Sequence, residues 1–230
     1  MKQVARKAFR ALSPSRVVIY RNEKRIVQAF GEEHGLVYFG HVSNDNEYAI
    51  VRGMTLSNQH KDLHYCVGTY SGYDVVFVER SDMLLSPEKK IKKSHRWHIM
   101  EFDLHTKKDL PHVFIGLHSH SESFYMQLFT KYPHLRMLAL GHTAQYPAEF
   151  TEGYRVYGKP AQLLDVEDII SPEVASLITR HFGRVAIEIH DGSLYLYSEN
   201  LHISMTLLDA MLKNGVWLAK QLDMLGDASV

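Results

Sequence analysis

The sequence has little cysteine, no long apolar run and no excess of charge of one sign, and each absence excludes a class of protein. Cys66 is the only cysteine among the 230 residues, which excludes an intramolecular disulfide and any metal site built from several thiolates. The longest aliphatic run near the start, Val17 to Ile19, is too short for a signal peptide or a membrane-spanning helix. These absences predict a soluble, cytoplasmic protein.

Charge is balanced over the whole chain but not along it. The 26 Lys and Arg residues equal the 26 Asp and Glu residues in number, so we expect no generally basic nucleic-acid surface and no sequence-specific nucleic-acid contact. Residues 1–25 nevertheless carry a net charge of +7, with Glu23 as their one acid. The apolar spacing within residues 2–12 predicts a helix that packs its apolar side on the core; contact of residues 1–25 with a membrane surface is the less favoured alternative.

Composition and length favour a globular chain with one main domain. Apolar residues make up 45% of the sequence and aromatic residues 11%, as in folded proteins. We divide the chain into a basic N-terminal helical segment, residues 1–30, and a single α+β domain, residues 31–230. If that domain consists of two lobes, the division between them falls near residues 105–120.

The first half of the domain contains short β-branched and aromatic runs bounded by turn residues, which predicts an antiparallel meander. The predicted strands are Leu36–Val42, Tyr48–Leu56, Leu63–Tyr70, Tyr73–Arg80, His95–Asp103 and His112–Leu117. Only Ser71 and Gly72 separate the third run from the fourth, which is the spacing of a β-hairpin. The lysine-rich residues 86–94 are interpreted as a solvated loop.

The second half alternates helix and strand signals. A helix is predicted near Ser121–Tyr132, and a second begins at Ser171, where Pro172 and Glu173 are typical of a first helical turn. After Gly183 come two strands, Arg184–His190 and Ser193–Ser198, joined by Asp191-Gly192, and a last helix, roughly His202–Leu225. The predicted fold class is α+β, with an antiparallel β meander in the first half packed with a C-terminal helix-hairpin-helix unit.

Several segments of the second half together resemble a family of uncharacterised bacterial proteins. The segments are Glu149-Phe150, Tyr154–Tyr157, Ile169–Val174, Ala186–Ile189 and Leu194–Tyr197, preceded by the step Leu110-Pro111. Over residues 30–225 the resemblance implies a β-rich first half, a helix opened by Ser-Pro or Thr-Pro, a hairpin and a last helix. It implies no catalytic residues.

Fifteen histidines make metal binding the main chemical hypothesis. His118 and His120 follow an apolar run in a His-x-His pattern, and two such imidazoles at a strand end are typical of metal-dependent hydrolases. Other strand ends could supply further ligands. The full candidate set is His118, His120, Glu122, His142 and His190. Against this hypothesis, the first 117 residues lack the strand and helix alternation of the barrel that such enzymes use.

Two functions from different classes therefore remain open. The sequence lacks Gly-x-x-x-x-Gly-Lys-Ser/Thr, Gly-x-Gly-x-x-Gly, His-Glu-x-x-His and Gly-x-Ser-x-Gly, so the common phosphate-binding and hydrolase motifs are missing. The favoured prediction is a non-enzymatic protein-binding module with no cofactor, acting on a protein partner or by self-association. The alternative is a metal-dependent hydrolase that uses the five candidate ligands with a divalent metal such as zinc.

Overall fold

The computed structural model describes residues 14–41, 51–54, 60–85, 92–199 and 202–227, and in them nine strands form a single antiparallel sheet. The strands are β1 (Val37–Gly40), β2 (Lys61–Tyr70), β3 (Tyr73–Leu85), β4 (Lys92–Asp103), β5 (Val113–Leu117), β6 (Arg136–Met137), β7 (Tyr154–Gly158), β8 (Val185–His190) and β9 (Ser193–Ser198). Their order across the sheet is β1-β2-β3-β4-β9-β8-β5-β7-β6.

Six α-helices occur among the described residues. They are α1 (Pro14–His34), α2 (Glu122–Leu128), α3 (Ala148–Gly153), α4 (Leu163–Ile169), α5 (Pro172–Phe182) and α6 (Met205–Asp227). A short 3-10 helix, Phe129–Lys131, continues α2. The α+β prediction is confirmed: the meander β1 to β4 leads the sheet, and the C-terminal helix-hairpin-helix is α5, β8, β9 and α6.

Side chains that alternate along the strands build a core on each face of the sheet. Phe77 of β3 points to the face that α1, α4, α5 and α6 cover, and its neighbour Val78 points to the opposite face, against Trp97 and Tyr125. We call these the helix face and the open face. The hairpin β8–β9 lies in the middle of the same sheet, because β9 pairs with β4 and β8 pairs with β5.

The predicted local signals are confirmed at three places. Ser71 and Gly72 have φ of 52° and 91°, and Asp191 and Gly192 have φ of 51° and 74°, the left-handed backbone that two-residue hairpins need. The Ser171 side chain accepts a hydrogen bond from the backbone N–H of Val174, so α5 begins where its cap predicts.

Other predicted boundaries differ from the structure. Within the predicted strand Tyr48–Leu56, residues 51–54 are described, and they form a bend and a turn instead of a strand. Gly53 has φ of 42°, and the neighbouring Met54 N–H bonds to the Glu188 carboxylate, so side chains of the sheet satisfy this backbone. Helix α1 continues through Gly31 to His34, past residue 30, where the predicted helical segment ends; a Cβ at Gly31 would lie 2.9 Å from the Leu36 carbonyl oxygen. The loop at residues 86–91 and the apolar stripe of residues 2–12 lie outside the described residues, and Lys92 and Lys93 belong to β4.

None of the described helices has both the length and the apolar character needed to cross a bilayer.

Candidate functional site

The predicted ligands His118 and Glu122 line one cavity. This cavity, of about 660 Å³, lies where the turn after β5 meets β6 and β7, and Ser121, Thr151 and Arg155 are among its polar lining residues. His118 Nδ1 donates a hydrogen bond to the Glu152 carbonyl oxygen over 2.7 Å. In the neutral ring this leaves Nε2 as a lone-pair acceptor, the form that a general base or a metal ligand requires.

His120 belongs to a different group of side chains. Its ring stacks on Phe124 with a centroid distance of 4.1 Å, and its Nε2 lies 2.7 Å from Glu199 Oε1. His95 Nε2 lies 3.2 Å from the second Glu199 oxygen. Burial alone would raise the pKa of Glu199, but the hydrogen bond from His120 and the nearby His95 ring outweigh it and lower the pKa to about 2.

The two imidazoles of the His-x-His pattern thus have different partners, and the backbone explains why. Strand β5 ends at Leu117, so His118 and His120 lie in the turn that leads to α2. Alternation places residues i and i+2 on one side only while the strand continues.

His142 lies in a loop that a buried carboxylate fixes. Glu167 accepts backbone hydrogen bonds from Gly141, His142 and Thr143 at 2.7 to 2.9 Å, and a further one from the Thr143 hydroxyl. The loop is therefore fixed through its backbone, and the His142 side chain is exposed.

His190 packs in a cluster of three histidines over a buried acid. Its ring stacks on His112 with a centroid distance of 3.8 Å, and His112 Nδ1 lies 3.2 Å from His134 Nε2. On its other side, His112 Nε2 donates to Glu188, which is fully buried and also accepts from the Tyr197 hydroxyl. Burial first, and then the neighbouring His112, lower the pKa of both His134 and His190.

The five predicted ligands are therefore distributed over four settings, and no three of them bring ligand atoms within 4.8 Å of one another. Glu188, which bonds to His112, and Glu199, which bonds to His120, were not among the residues predicted from the sequence. The available signal was an acid inside the apolar run Val185–His190, because a buried carboxylate needs polar partners. Its partners His112 and Tyr197 come from other strands, and the linear pattern does not show them.

Residues that pair across neighbouring strands form a row that crosses the whole open face, and their exposure shows which part of that face is covered. The row is Val37, Val67, Val76, Glu101, Tyr195, Glu188, Phe114, Tyr157 and Met137. From Tyr195 to Tyr157 every member is buried. At the β1 end, Val37 is 57% exposed, and Val67 and Val76 are half-buried. We call Val37, Phe39, Val67 and Val76 the open strip.

The open strip is apolar and adjoins a sheet edge. Strand β1 pairs with β2 alone among the described strands, and Phe39, two residues after Val37, is 60% exposed. The intervening Tyr38 packs against the core of the helix face instead. Apolar side chains exposed beside an edge strand are typical of a binding surface, because an edge backbone offers hydrogen bonds to an added strand.

Acidic side chains border the open strip. Glu101 pairs with Val76, and Asp74 and Asp103, each two residues along its strand, lie exposed on the same face. Burial raises the pKa of Glu101 to about 7, with a further contribution from the charge of Asp103. These acidic side chains attract positively charged groups to the edge of the open strip.

Comparisons with known proteins add information about the fold. No protein-family model and no curated protein sequence matches the chain. Among solved structures, the mycobacterial trehalose monomycolate transport factor A, TtfA, is similar, with a TM-score of 0.57 and 11% sequence identity. The alignment covers 89% of this chain and 94% of TtfA. The two proteins share an overall fold, and at this identity the likeness concerns the fold alone.

Proposed function

We propose that the chain is a non-enzymatic binding module that takes up an extended segment of a protein partner at β1. The segment adds a strand to the edge of the sheet, places alternate apolar side chains on the open strip, and presents basic side chains to Glu101, Asp74 and Asp103. The observation that carries this proposal is the continuity of an exposed apolar strip with an edge strand.

Strand addition uses both the free backbone of the edge strand and the exposed apolar side chains of the open strip. Backbone hydrogen bonds give general affinity, and pockets for alternate side chains give selectivity. Covering Val37 and Phe39 would contribute about 1.5 to 3 kcal/mol for each side chain fully removed from water. The acidic border would raise the rate of association with a basic segment more than its final affinity.

The structural neighbour is compatible with a binding role. TtfA is a transport factor. This supports the class of function proposed and does not identify a partner.

The test uses a fluorescein-labelled peptide of alternating valine and lysine. We expect micromolar binding by fluorescence anisotropy, and about tenfold weaker binding for Val37→Ser and Val67→Ser, a loss of about 1.4 kcal/mol. Met137→Thr, at the opposite edge of the sheet, is the matched control and should bind as the wild type does. Equal binding by Val67→Ser and wild type, or equal binding of a valine and glutamate peptide, would refute the proposal.

The cavity of His118 favours a second candidate function, metal-assisted hydrolysis. There His118, Glu122 and Arg155 line one space of about 660 Å³. Zinc-dependent hydrolysis of p-nitrophenyl acetate by the chain purified without a histidine tag tests it. His118→Ala should abolish this hydrolysis, and the exposed His142→Ala should not change it; the hypothesis fails if His118→Ala hydrolyses the ester as the wild type does.

A further inference from the structure

A cluster of ionisable side chains is buried on the helix face of the sheet, away from the open strip. It consists of Glu23, His64, Glu79, Arg96 and His98, and we call it the Glu23–Glu79 cluster. Glu23, Glu79 and the two histidines are at most 6% exposed. Burying an ionisable group lowers the stability of a protein unless the group is paired. We therefore ask which polar atoms of this cluster have hydrogen-bond partners.

Register and helix periodicity bring these residues together. Glu79 and His98 are Cα partners on β3 and β4, two residues beyond the core pair Phe77 and Met100. Glu23 lies one helical turn before the buried Val27 of α1, so its side chain is on the face that packs on the sheet. The polar cluster therefore continues the core layer of the helix face.

His64 reaches the cluster through an irregularity in β2. The register between β2 and β3 shifts between Leu63 and Cys66, and His64 has φ of 58° although it is not glycine. A bulge of this kind re-aims a side chain, and a positive φ is energetically unfavourable for a non-glycine residue. The fold accepts this cost at the residue that turns an imidazole toward two acids.

The three potential ligands are close enough to share an ion. One ligand atom each from Glu23, His64 and Glu79 lie within 4.8 Å of one another. His64 Nε2 is 4.0 Å from Glu79 Oε2, a distance too long for a hydrogen bond. In the described part of the chain, this nitrogen and both ring nitrogens of His98 lack a hydrogen-bond partner.

Neither tautomer of His64 is satisfied by the side chains around it. Tyr38 Oη lies 2.9 Å from His64 Nδ1 and fixes the ring. If Nδ1 donates to Tyr38, the Nε2 lone pair faces carboxylate oxygens with no proton between them; if Nε2 carries the proton, that proton has no acceptor in reach.

Arg96 neutralises only part of the negative charge of Glu23 and Glu79. Its Nη2 donates to Glu23 Oε1 at 2.7 Å and to Glu79 Oε2 at 2.5 Å. One guanidinium faces two carboxylates, and the Arg96 side chain is 25% exposed, so it has a route to solvent. A cation that replaced it between the acids would also use the His64 nitrogen.

We propose that Glu23, His64 and Glu79 bind a divalent metal ion of the zinc type. Imidazole nitrogen and carboxylate oxygen are standard ligands of Zn²⁺, which prefers four ligands. The contact from His64 Nδ1–H to Tyr38 supplies the outer partner that orients a metal-bound imidazole. Because Glu23 is on α1 and the other ligands are on the sheet, the ion fastens the helix to the sheet. This proposal is independent of the binding role of β1.

The test is zinc binding by the untagged full chain, measured by isothermal titration calorimetry, with Co²⁺ absorption as a report of tetrahedral ligation. We expect one tight site in the wild type and about 100-fold weaker binding in His64→Gln and in Glu23→Gln. The matched control is His34→Gln, because His34 lies with Glu33 and Asp209 in a second, more exposed group of potential ligands. His34→Gln should retain the tight site.

Arg96→Gln separates a metal site from a structural ion pair. If Arg96 competes with the ion, Arg96→Gln should bind Zn²⁺ about tenfold more tightly, since the acids lose their other cation. If the cluster is only an ion-pair network, Arg96→Gln lowers the melting temperature and gains no affinity. Unchanged zinc affinity in Glu23→Gln, or no tight site in a folded wild type, overturns the proposal. Circular dichroism identifies a variant that fails to fold, and Glu23→Gln and Arg96→Gln then decide the question without His64→Gln.

Discussion

Glu167 gives a prediction about pH at the scale of a single residue. Burial would raise its pKa, but hydrogen bonds from the Thr143 hydroxyl and from the N–H groups of His142, Gly141 and Thr143 lower it to about 2. The folded-state pKa is below the ordinary value of 4.5, so the ionised carboxylate stabilises the fold above pH 4.5. That contribution is lost as pH falls toward 2.

Glu167→Gln should therefore lower the free energy of unfolding at pH 7 by about 2 kcal/mol, because a charged acceptor of several hydrogen bonds is lost. Urea denaturation at pH 7 and at several values below pH 4.5 measures the difference, which should shrink in acid. Glu149→Gln, an exposed acid in the first turn of α3, is the control. A difference that stayed constant down to pH 2 would contradict the assigned role.

Ser171 gives a prediction about a helix cap. Its hydroxyl oxygen accepts from the Val174 N–H at 3.3 Å and lies 2.8 Å from the Glu173 carboxylate. Ser171→Ala should cost about 1 kcal/mol, the usual loss for an N-cap, and lower the urea midpoint. The exposed Ser119→Ala is the control, and equal midpoints for Ser171→Ala and wild type would show that the cap contributes nothing.

Residue-scale features were predictable only where the signal is local. The Ser171 cap and the Asp191-Gly192 turn depend on neighbours in sequence, so the pattern predicted both. The setting of His118 and His120 was not predictable, because it depends on where β5 ends and on Glu199, 79 residues after His120.

At the scale of an element, Gly215 decides how closely α6 approaches the sheet. A Cβ at this position would lie 2.2 Å from the Phe102 ring. Alanine normally stabilises a helix interior by up to about 1 kcal/mol relative to glycine, but here the clash should outweigh that gain.

Gly215→Ala should therefore destabilise the protein by about 1 to 3 kcal/mol, measured by thermal unfolding. The exposed Lys220→Ala on the same helix is the control, and it should change little. A raised melting temperature for Gly215→Ala would mean that helix propensity dominates and that α6 has room to move.

Most elements were predictable, but their neighbours in space were not. Turn residues predicted the β2–β3 and β8–β9 hairpins, with β9 matching Ser193–Ser198 at both ends. Sequence patterns do not distinguish an edge strand from a central one, since both alternate. The exposure of Val37 and Phe39 therefore became visible only from the sheet order.

At the scale of the whole molecule, the basic N-terminal segment gives a further prediction. Because an amphipathic stripe within residues 2–12 favours packing on the core, deletion of the first 15 residues should lower the melting temperature by several degrees, as a loss of about 1 to 2 kcal/mol does at this size. Salt-sensitive retention on an anionic matrix should change little. Unchanged melting together with lost retention would instead indicate an electrostatic arm.

We propose that β1 and the open strip receive an extended protein segment. Hydrogen exchange of the backbone amides, with and without the valine and lysine peptide, tests it most directly, because an added strand must protect the outward N–H groups of its neighbour. We expect slower exchange in β1 on peptide binding and unchanged exchange in β6, the opposite edge. Protection that appears elsewhere and leaves β1 unchanged would contradict it.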